Sequence, residues 1–387
     1  MKAPFPWNPR RKLVYITGGK HPCDTPGFAP NLHNTVENMS QRNHRWIALL
    51  SILLLAIPLA AGATKYTADF MTKGTGARPL AMGGAFTAVG DDTNVLFFNP
   101  GALAALEGRS LSLMHAERFG GLVQVDHGGF HLTRDFYGRE ASIGLSVLRV
   151  GVDDIWFTGD HPYNDLNENG EFDGPEELPT TIDPSYLRKV SDQEWAVLGV
   201  YATQVRRWSL GGALKVIYQS VGEYNSFGFG LDAGVLSPPL PGGLRAGLKI
   251  QDITGTYVAW STGVSEFVAP SLRPGIAWRQ DLPEIRASVL IALDLETRFE
   301  NYQEAAAFHA GRISVDPHLG LEIWLLQAVA LRMGVDGENW TAGGGLKLAG
   351  QGGILPWDSL KALCLDYGFG NHEDLDGSHR VGLGLSF

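Results

Sequence analysis

The chain has 387 residues, of which 49 are glycine, and only 19% are charged. So much glycine argues against a helical bundle, because each interior glycine costs a helix about 1 kcal/mol relative to alanine. The hydrophobic fraction of 44% and the mean hydropathy of −0.04 exclude a disordered chain and a bundle of membrane helices. A large β-rich protein remains, as two soluble domains or as one barrel.

The N-terminal region predicts export. Residues 39–63 are typical of a cleaved signal peptide: two arginines precede an apolar run (46–60), and Ala61-Gly62-Ala63 supplies the small residues of a cleavage site. An uncleaved membrane anchor is the alternative, although about 15 apolar residues are short for a span of about 20. Residues 1–38 precede this signal and form an uncertain extension that resembles no domain.

Export changes the charge balance. Residues 1–63 contain seven of the 31 Lys and Arg residues and two of the 41 Asp and Glu residues, so the remaining chain has a net charge of −15. An acidic chain of this kind argues against nucleic-acid binding, which requires a basic surface. Cys23 belongs to the leader, which leaves Cys364 alone and predicts no intramolecular disulfide.

From Arg109 onward, apolar residues alternate with small or polar ones, which is the pattern of β-strands. In the last segment, for example, Val381 and Leu383 share one face, while Gly382 and Gly384 share the other. The second face of each segment is mainly Gly, Ala and Ser, which favours a narrow lumen, with the apolar face in lipid. A soluble β-sandwich is the alternative, since alternation alone does not distinguish a lipid-facing surface from a sandwich core.

Fourteen such segments follow one another, and their connections alternate between short turns and longer acidic loops. The segments are 109–117, 121–133, 140–151, 194–206, 208–221, 226–237, 242–253, 270–281, 284–297, 304–325, 328–336, 339–349, 360–370 and 378–387. Outer-membrane barrels have short periplasmic turns and longer outer loops. The pattern therefore predicts an all-β fold: a transmembrane outer-membrane β-barrel (109–387) of about 14 antiparallel strands, with both termini periplasmic and a long extracellular acidic loop at 152–193.

Aromatic residues near the segment ends are expected to form interfacial girdles. They are Trp195, Tyr201, Trp208, Tyr218, Trp278, Trp324, Trp340 and Tyr367.

Motifs at both ends of this region resemble those of PorV/PorQ-type outer-membrane proteins, which are relatives of the FadL-type transporters of hydrophobic compounds. The N-terminal motifs are Gly76-Ala77-Arg78, Met82-Gly83-Gly84-Ala85, Asp91-Asp92 and Asn99-Pro100; the C-terminal ones are Leu365–Phe369 and His379-Arg380 followed by Val381–Phe387. The order Gly101-Ala102 is a local inversion of the usual family pattern. The resemblance implies a fourteen-stranded barrel with residues 64–108 folded inside it as a hatch.

The resemblance also assigns two groups of residues. The hatch group is Arg78, Met82, Gly83, Gly84, Asp91, Asp92, Asn99 and Pro100; the C-terminal barrel-assembly signal is His379, Arg380, Val381, Leu383, Leu385 and Phe387. Arg78 and the two aspartates can make charge-assisted bonds that hold the hatch in the lumen. Alternatively, they satisfy one another within a tight turn, since buried charges are paired whatever their role.

The long acidic loop contains a calcium-like motif with the pattern D-x-N-x-N-G-x-x-D-x-x-E. Its oxygen ligands would be the side chains of Asp165, Asn167, Asn169, Asp173 and Glu176 and the backbone carbonyl of Glu171. This spacing places hard oxygen donors around one point, as Ca²⁺ requires. A solvated acidic loop or a turn without metal is the alternative.

The sequence contains neither a zinc-protease motif nor a serine-hydrolase motif, and we predict that the protein is not an enzyme. Ser146 and His127 are an example of a Ser/His pair that could meet across strands. The resemblance to PorV-type proteins implies a secretion-associated barrel, in a type IX secretion setting, that binds secreted proteins or secretion-apparatus subunits at its outer loops. The acidic charge of these loops favours protein or cation contacts over fatty anions. The alternative is uptake of hydrophobic, fatty-acid-like molecules, for which the apolar run 257–268 is a candidate contact or a membrane-interface anchor. A structural barrel without transport is the second alternative. Outer-membrane lipid is a partner in each case.

Overall fold

The computed structural model describes residues 68–72, 74–136, 138–157, 174, 177, 184–300, 302–349, 360–372 and 377–387. These residues all belong to the second of two compact units, Ile57–Phe387. The predicted signal peptide and the extension before it lie outside the described residues.

The described part of the chain is dominated by β-strands. They are β1 (Arg109–Arg118), β2 (Val123–Phe136), β3 (Arg139–Phe157), β4 (Arg188–Val205), β5 (Trp208–Val221), β6 (Tyr224–Leu236), β7 (Leu244–Gln251), β8 (Thr256–Trp260), β9 (Ser265–Val268), β10 (Ser271–Leu282), β11 (Ala287–Arg298), β12 (Phe308–Ala310), β13 (Ile313–Leu325), β14 (Val329–Asp336), β15 (Asn339–Ala349), β16 (Ala362–Gly370) and β17 (Ser378–Ser386).

Fourteen of these strands form one closed antiparallel wall. Each pairs with its neighbours in chain order, and β1 pairs with β17, which closes the barrel. The other three are short: β8 and β9 form a hairpin against β6, and β12 pairs only with β13. The predicted barrel of 14 antiparallel strands is confirmed, and closure leaves the wall no free edge for another chain to extend.

Three predicted regions need correction. The long loop predicted at 152–193 is shorter than expected, because β3 continues to Phe157 and β4 begins at Arg188. The region 304–325 is not one strand, because a tight turn at Gly311 separates β12 from β13. The connection between the predicted segments 242–253 and 270–281 contains the β8–β9 hairpin, whose strands of five and four residues are too short to show a clear alternation.

The two ends of the barrel differ. We call the end that carries Arg109 and Phe387 the terminal end; it also carries short connections such as that between β4 and β5. The opposite end, called the loop end, carries the β8–β9 hairpin and the connection from Phe157 to Arg188.

The two faces of the wall follow the sequence alternation. Large apolar side chains such as Leu113, Phe229 and Met333 are exposed on the outside, whereas inward positions hold mainly small or polar residues, with exceptions such as Leu148 and Ile217. The wall strands run from 8 to 19 residues, a range that includes the 9–11 or so needed to cross a bilayer. Within the described residues, no helix is long and apolar enough to span a membrane.

Most of the predicted girdle aromatics lie on the outer face. Trp195, Tyr201, Trp208, Tyr218, Trp340 and Tyr367 are exposed. Trp278 is partly buried and donates its indole N–H to the carbonyl of Gly242. The girdle prediction is wrong for Trp324. This residue lies on the lumen face of β13, and the Arg332 guanidinium lies 5.5 Å from its ring centroid. Alternation places it one residue out of phase with the lipid-facing Ile323 and Leu325.

The segment before β1 fills the lumen. Its helices are α1 (Ala77–Ala81) and α2 (Val95–Phe98), and short 3₁₀ turns cover Asp69–Met71 and Pro100–Ala105. Phe86, Leu96 and Leu103 are almost completely buried against the inner wall. The core of the molecule is thus the contact between this segment, called the hatch, and the small side chains of the barrel interior.

Candidate functional site

Arg78, on α1 of the hatch, connects the hatch to the barrel wall. Its Nη1 donates to Asp91 at 2.7 Å and to Asp92 at 2.8 Å, while its Nε and Nη2 donate to the Glu322 carboxylate on β13, both at 2.7 Å. Both sequence-based interpretations of this group therefore describe part of one network. Arg78 is satisfied within the hatch and is also bonded to the wall.

The wall continues this network on the lumen side. Glu322 also accepts from Arg332 Nε at 2.7 Å, and Arg332 Nη1 donates to Asp366 at 2.7 Å. The side chains of Glu322 and Arg332 have no measurable exposure. Removing one member of such a buried pair typically costs about 3–5 kcal/mol, because the remaining charge is left without a partner.

A second group of wall residues binds the backbone of the hatch. Asp294 on β11 accepts hydrogen bonds from the N–H groups of Phe86 and Thr87 at 2.9 and 3.0 Å, and from the Thr87 hydroxyl at 2.7 Å. Arg273 on β10 donates to the carbonyl of Gly84 at 2.7 Å. Because a buried backbone donor or acceptor is costly to leave unpaired, these bonds determine where the hatch chain lies in the lumen.

Close backbone approach explains the Met82-Gly83-Gly84 motif. Met82 is fully buried, and its backbone packs onto the inward-facing Gly320 and Gly334. Gly83 has φ of 61°, donates its N–H to the Thr341 hydroxyl at 3.0 Å, and sits where any Cβ would collide with the carbonyl oxygen of Val335. Glycine is thus required there by conformation and by space.

Asn99 and Pro100 anchor the next part of the hatch. The Asn99 amide donates to the carbonyls of Thr87 at 2.7 Å and Val235 at 3.0 Å, and its side-chain oxygen accepts the N–H of Gly101 at 3.0 Å. Pro100 occupies the first position of the following 3₁₀ turn, where its missing N–H is no loss. Together they fix the hatch against β5 and β6.

The C-terminal motif divides between the two faces of the wall. Val381, Leu383 and Leu385 face outward, and the His379 ring bonds the Tyr367 hydroxyl at 2.7 Å. Arg380 faces the lumen and donates to the carbonyl of Gly74 at 3.1 Å. Phe387 donates its N–H to Arg109 at 2.9 Å, so the chain ends beside the start of β1. The assembly role of this motif stays a prediction.

Two cavities lie on opposite faces of one part of the wall. A cavity of about 790 Å³ separates the hatch from the lumen face of β1 and β17 near the terminal end. A groove of about 630 Å³ lies on the outer face and passes over Gly128, which has no side chain there. Met114, His127, Gly382 and Leu383 line both. We call this part of β17, β1 and β2 the thin wall.

The predicted Ser/His example is adjacent in the structure. His127 Nε2 and Ser146 Oγ lie 2.9 Å apart and both residues are buried. Among the described residues, no carboxylate bonds the other ring nitrogen of His127, so the third member of a catalytic triad is missing there.

The calcium-like motif 165–176 falls outside the described residues apart from Gly174, and the calcium site stays a prediction. Within the described ranges, no group of three or more His, Cys, Asp or Glu side chains is arranged to hold a metal ion.

Sequence reasoning missed the wall residues that bind the hatch. Asp294, Glu322 and Arg332 lie on the lumen faces of their strands, next to the small residues Ala292, Gly320 and Ala330 of the same faces. A charge at a lumen position in a barrel needs a partner inside, and this was the available signal. The partner's identity depends on how the hatch folds, which strand alternation does not encode.

A closed barrel of fourteen antiparallel strands, apolar outside and plugged within, is of the type found in the bacterial outer membrane. No protein-family model and no curated protein matches the sequence. Among solved structures, the chain is similar to the toluene transporter TbuX of Ralstonia pickettii at 11% identity and a TM-score of 0.48, covering 82% of this chain and 100% of that one.

It is also similar to the toluene transporter TodX of P. putida, at 12% identity and a TM-score of 0.47, over 81% of this chain and 99% of that one. The similarity to the monoaromatic hydrocarbon channel CymD has 12% identity and a TM-score of 0.46, and it covers 81% of this chain and 98% of that one. The barrel class rests on the strand pairing of this chain itself, and the thin wall carries the functional proposal below.

Proposed function

We propose that this protein passes small hydrophobic compounds across the bacterial outer membrane, and that they move between lumen and lipid at the thin wall. The observation that carries the proposal is the pair of cavities on the two faces of one wall segment, with glycines at Gly128, Gly382 and Gly384. Gly382 lines both spaces, whereas Gly128 lines the outer groove and Gly384 the lumen cavity, so little side-chain volume separates the two spaces at these positions. A local separation of strands there would connect them.

The hatch and the groove support the same proposal. The hatch fills much of the lumen and is bonded to the wall on several strands, which disfavours a wide aqueous channel. The groove is lined mainly by apolar side chains, including Leu113, Val147 and Leu365. An apolar compound gains free energy by moving from water to such a surface and from there into lipid.

Filling the thin wall tests the proposal. A Cβ at Gly128 would meet only Leu113 at 3.8 Å, and one at Gly384 would meet only Cys364 at 3.5 Å, so both sites have room for a side chain. We expect Gly128→Leu combined with Gly384→Leu to reduce uptake of radiolabelled toluene to the level of host cells that lack the protein. Uptake is measured in a host without a hydrocarbon channel of its own.

Gly199→Leu is the matched control, because Gly199 is an exposed position in a wall strand where a Cβ meets nothing within 4 Å. It is expected to transport as the unmodified protein does. Normal uptake by the double variant would exclude the thin wall as the route. If the unmodified protein gives no uptake above the host background, the transport proposal itself is wrong.

Binding of secreted proteins or of secretion-apparatus subunits at the loop end is the second candidate. The β8–β9 hairpin supports it, because Tyr257 and Val264 are exposed there and carry apolar surface beyond the wall. Deleting 257–267 is expected to abolish capture of secreted proteins by the purified barrel and to leave hydrocarbon uptake intact. Loss of uptake with unchanged capture would instead assign the hairpin to ligand entry or to membrane anchoring.

A further inference from the structure

A cavity of about 220 Å³ lies at the terminal end of the barrel, beside the hatch. It is bordered by the turn between β4 and β5, the connection from β6 to β7 and the end of the 3₁₀ turn Pro100–Ala105. The described residues that line it include three arginines, Arg206, Arg207 and Arg245, and no carboxylate. A concave site lined by charges of one sign attracts ions of the opposite sign, which here means an anion.

Arg245 is the inner member of this group of arginines. It is partly buried on the lumen face of β7, and its Nη1 lies beside Gly90 of the hatch, 3.2 Å from the place where a Cβ of that residue would stand. The same place is bordered by Ala105 and Leu236, which both line the cavity. The Arg245 guanidinium therefore lies at the cavity, between the hatch and the wall.

The three arginines have no ion-pair partner within the described part of the chain, where none of them forms a salt bridge or a hydrogen bond. The charge of Asp91 acts on Arg245 from a distance. The Asp91 carboxylate, however, already accepts hydrogen bonds from Arg78 and Arg279. Partly buried charges are normally paired, so this group of cations indicates a place for an anionic ligand.

Two serines that line the same cavity differ in their hydrogen bonds. The Ser237 hydroxyl is satisfied, since it donates to the carbonyl of Pro238 at 2.9 Å and accepts the N–H of Ala246 at 2.9 Å. Ser209 is only 5% exposed, and its hydroxyl bonds no described residue. This hydroxyl is not one of the unpaired buried atoms that lack accessible surface, so the cavity reaches it. A hydrogen-bond donor is thus available beside the arginines.

The number and kind of these groups distinguish phosphate from carboxylate. A carboxylate has one charge and two oxygens, which a single guanidinium can satisfy. A phosphate monoester has a charge of about −1.5 to −2 at pH 7 and three strong acceptor oxygens. Three guanidiniums and one hydroxyl match the phosphate monoester better. The cavity volume of about 220 Å³ also leaves room for an organic group attached to the phosphate.

From these groups we infer that the cavity binds a phosphate monoester. The guanidiniums of Arg206, Arg207 and Arg245 bind its oxygens, and the Ser209 hydroxyl donates a further hydrogen bond. A soluble phosphate ester and the headgroup of a lipid both offer this chemistry. The site lies on β4 to β7, whereas the thin wall belongs to β17, β1 and β2, so phosphate binding and transport are independent properties of the barrel.

Isothermal titration calorimetry on the full-length barrel in maltoside micelles, which contain no phosphate, tests this site. The probes are glycerol phosphate, dihexanoyl phosphatidic acid and, as the carboxylate comparison, acetate, at constant ionic strength and with empty micelles as the blank. We expect phosphate binding and no acetate binding. Binding of glycerol phosphate supports a soluble ligand, and binding of phosphatidic acid alone supports a lipid headgroup. Binding of neither phosphate probe, or equal affinity for acetate, would overturn the inference.

Arg206→Gln combined with Arg207→Gln removes two charges from a turn where both side chains are exposed. We expect the affinity for the phosphate probe to fall about tenfold or more, as for the loss of charge-assisted hydrogen bonds. Arg134→Gln combined with Arg139→Gln is the matched control, because both residues are exposed beside the β2–β3 turn of the same end and do not line the cavity. It should bind as the unmodified protein does. Equal losses in the two variants would show a general effect of charge and overturn the assignment of the site.

A second measurement needs no variant. Phenylglyoxal modifies accessible guanidiniums, and mass spectrometry of the digested protein locates each modified arginine. A saturating phosphate probe is expected to slow the modification of Arg206 and Arg207 and to leave that of Arg134 and Arg139 unchanged. Unchanged modification of Arg206 and Arg207 at saturation would overturn the inference.

Discussion

At the scale of single residues, the hatch is held by charges that the lumen removes from water. Glu322 is fully buried between Arg78 and Arg332, and this arrangement differs in kind from the exposed pair of Arg188 and Glu223. Exposed pairs contribute about 0–1 kcal/mol, whereas an orphaned buried charge costs several times more. We therefore attribute the placement of the hatch, more than the net stability of the barrel, to these groups.

The neighbouring aspartates of the hatch should respond oppositely to pH. Burial raises the pKa of Asp91, but the charges of Arg78 and Arg279 outweigh it and hold this pKa well below the ordinary 3.8. Burial and the adjacent Asp91 charge raise the pKa of Asp92 above 3.8 despite Arg78. The Asp91 contribution to the free energy of unfolding is thus complete above about pH 4 and is lost as pH falls through its depressed pKa.

The ionised form of Asp92 lowers the free energy of unfolding. This destabilisation disappears when Asp92 is protonated, as pH falls through its raised pKa. At pH 7 we therefore expect Asp91→Asn to lower the free energy of unfolding by about 2 kcal/mol, the range of hydrogen bonds to charged groups. Asp92→Asn should leave it unchanged or raise it. Urea unfolding in micelles at about pH 7, followed by tryptophan fluorescence, measures the free energy of unfolding of both variants. Equal losses at the two positions would contradict this assignment.

At the scale of elements, the hatch and the strands fit because glycines lower the inner face of the wall at the points where the hatch backbone contacts it. Inward glycines such as Gly320 and Gly334 let the hatch backbone approach the strands directly. The strands in turn supply hydroxyl, carboxylate and guanidinium groups to the hatch backbone. Close contact between the hatch backbone and the strands requires glycine at many inward positions, which explains why the glycine content is so high.

Gly83→Ala tests this fit. At φ of 61° an alanine is strained by about 1–2 kcal/mol, and its Cβ would in addition collide with backbone oxygens of Leu319 and Val335, which the strand ladder holds in place. We expect faster proteolysis within 74–108, with the wall still closed. Gly121→Ala is the control, since φ there is 86° but nothing lies within 4 Å. Equal proteolysis of both variants would show that backbone strain alone, and not the collision with Leu319 and Val335, loosens the hatch.

The strands were predictable from sequence, and the hatch contacts were not. Strand β5 matches its predicted bounds, 208–221, because large apolar residues recur at every second position from Trp208 to Tyr218, with one gap at Gly212. The β12–β13 boundary was missed because the turn at Gly311 is short and the residues around it keep a mixed pattern. Arg78, Asp91 and Asp92 were found from a motif, but Glu322 lies 244 residues away from Arg78, and local pattern carries no information about such a pairing.

At the scale of the whole molecule, the barrel reverses the polarity of a soluble protein. Apolar side chains cover the outside of the wall, and most of the ion pairs of lowest exposure lie between wall and hatch or along the lumen. This reversal explains the mean hydropathy near zero, since apolar outer faces average against a polar interior. It also requires lipid around the wall, because an apolar surface of this extent is not stable in water.

The orientation of the barrel in the membrane is a prediction that can be tested directly. With fourteen strands both ends of the wall meet at the terminal end. We predict that this end faces the periplasm and the loop end faces outward, because outer-membrane barrels carry their longer loops outside. In a Cys364→Ala background, Glu338→Cys lies in the turn between β14 and β15 at the loop end, and Glu284→Cys lies at the terminal end; both positions are exposed. A membrane-impermeant maleimide should label Glu338→Cys on intact cells, and Glu284→Cys only after the outer membrane is permeabilised. The reverse labelling pattern would show that the loop end faces the periplasm. A compound entering at the loop end would then reach the thin wall from the periplasmic side.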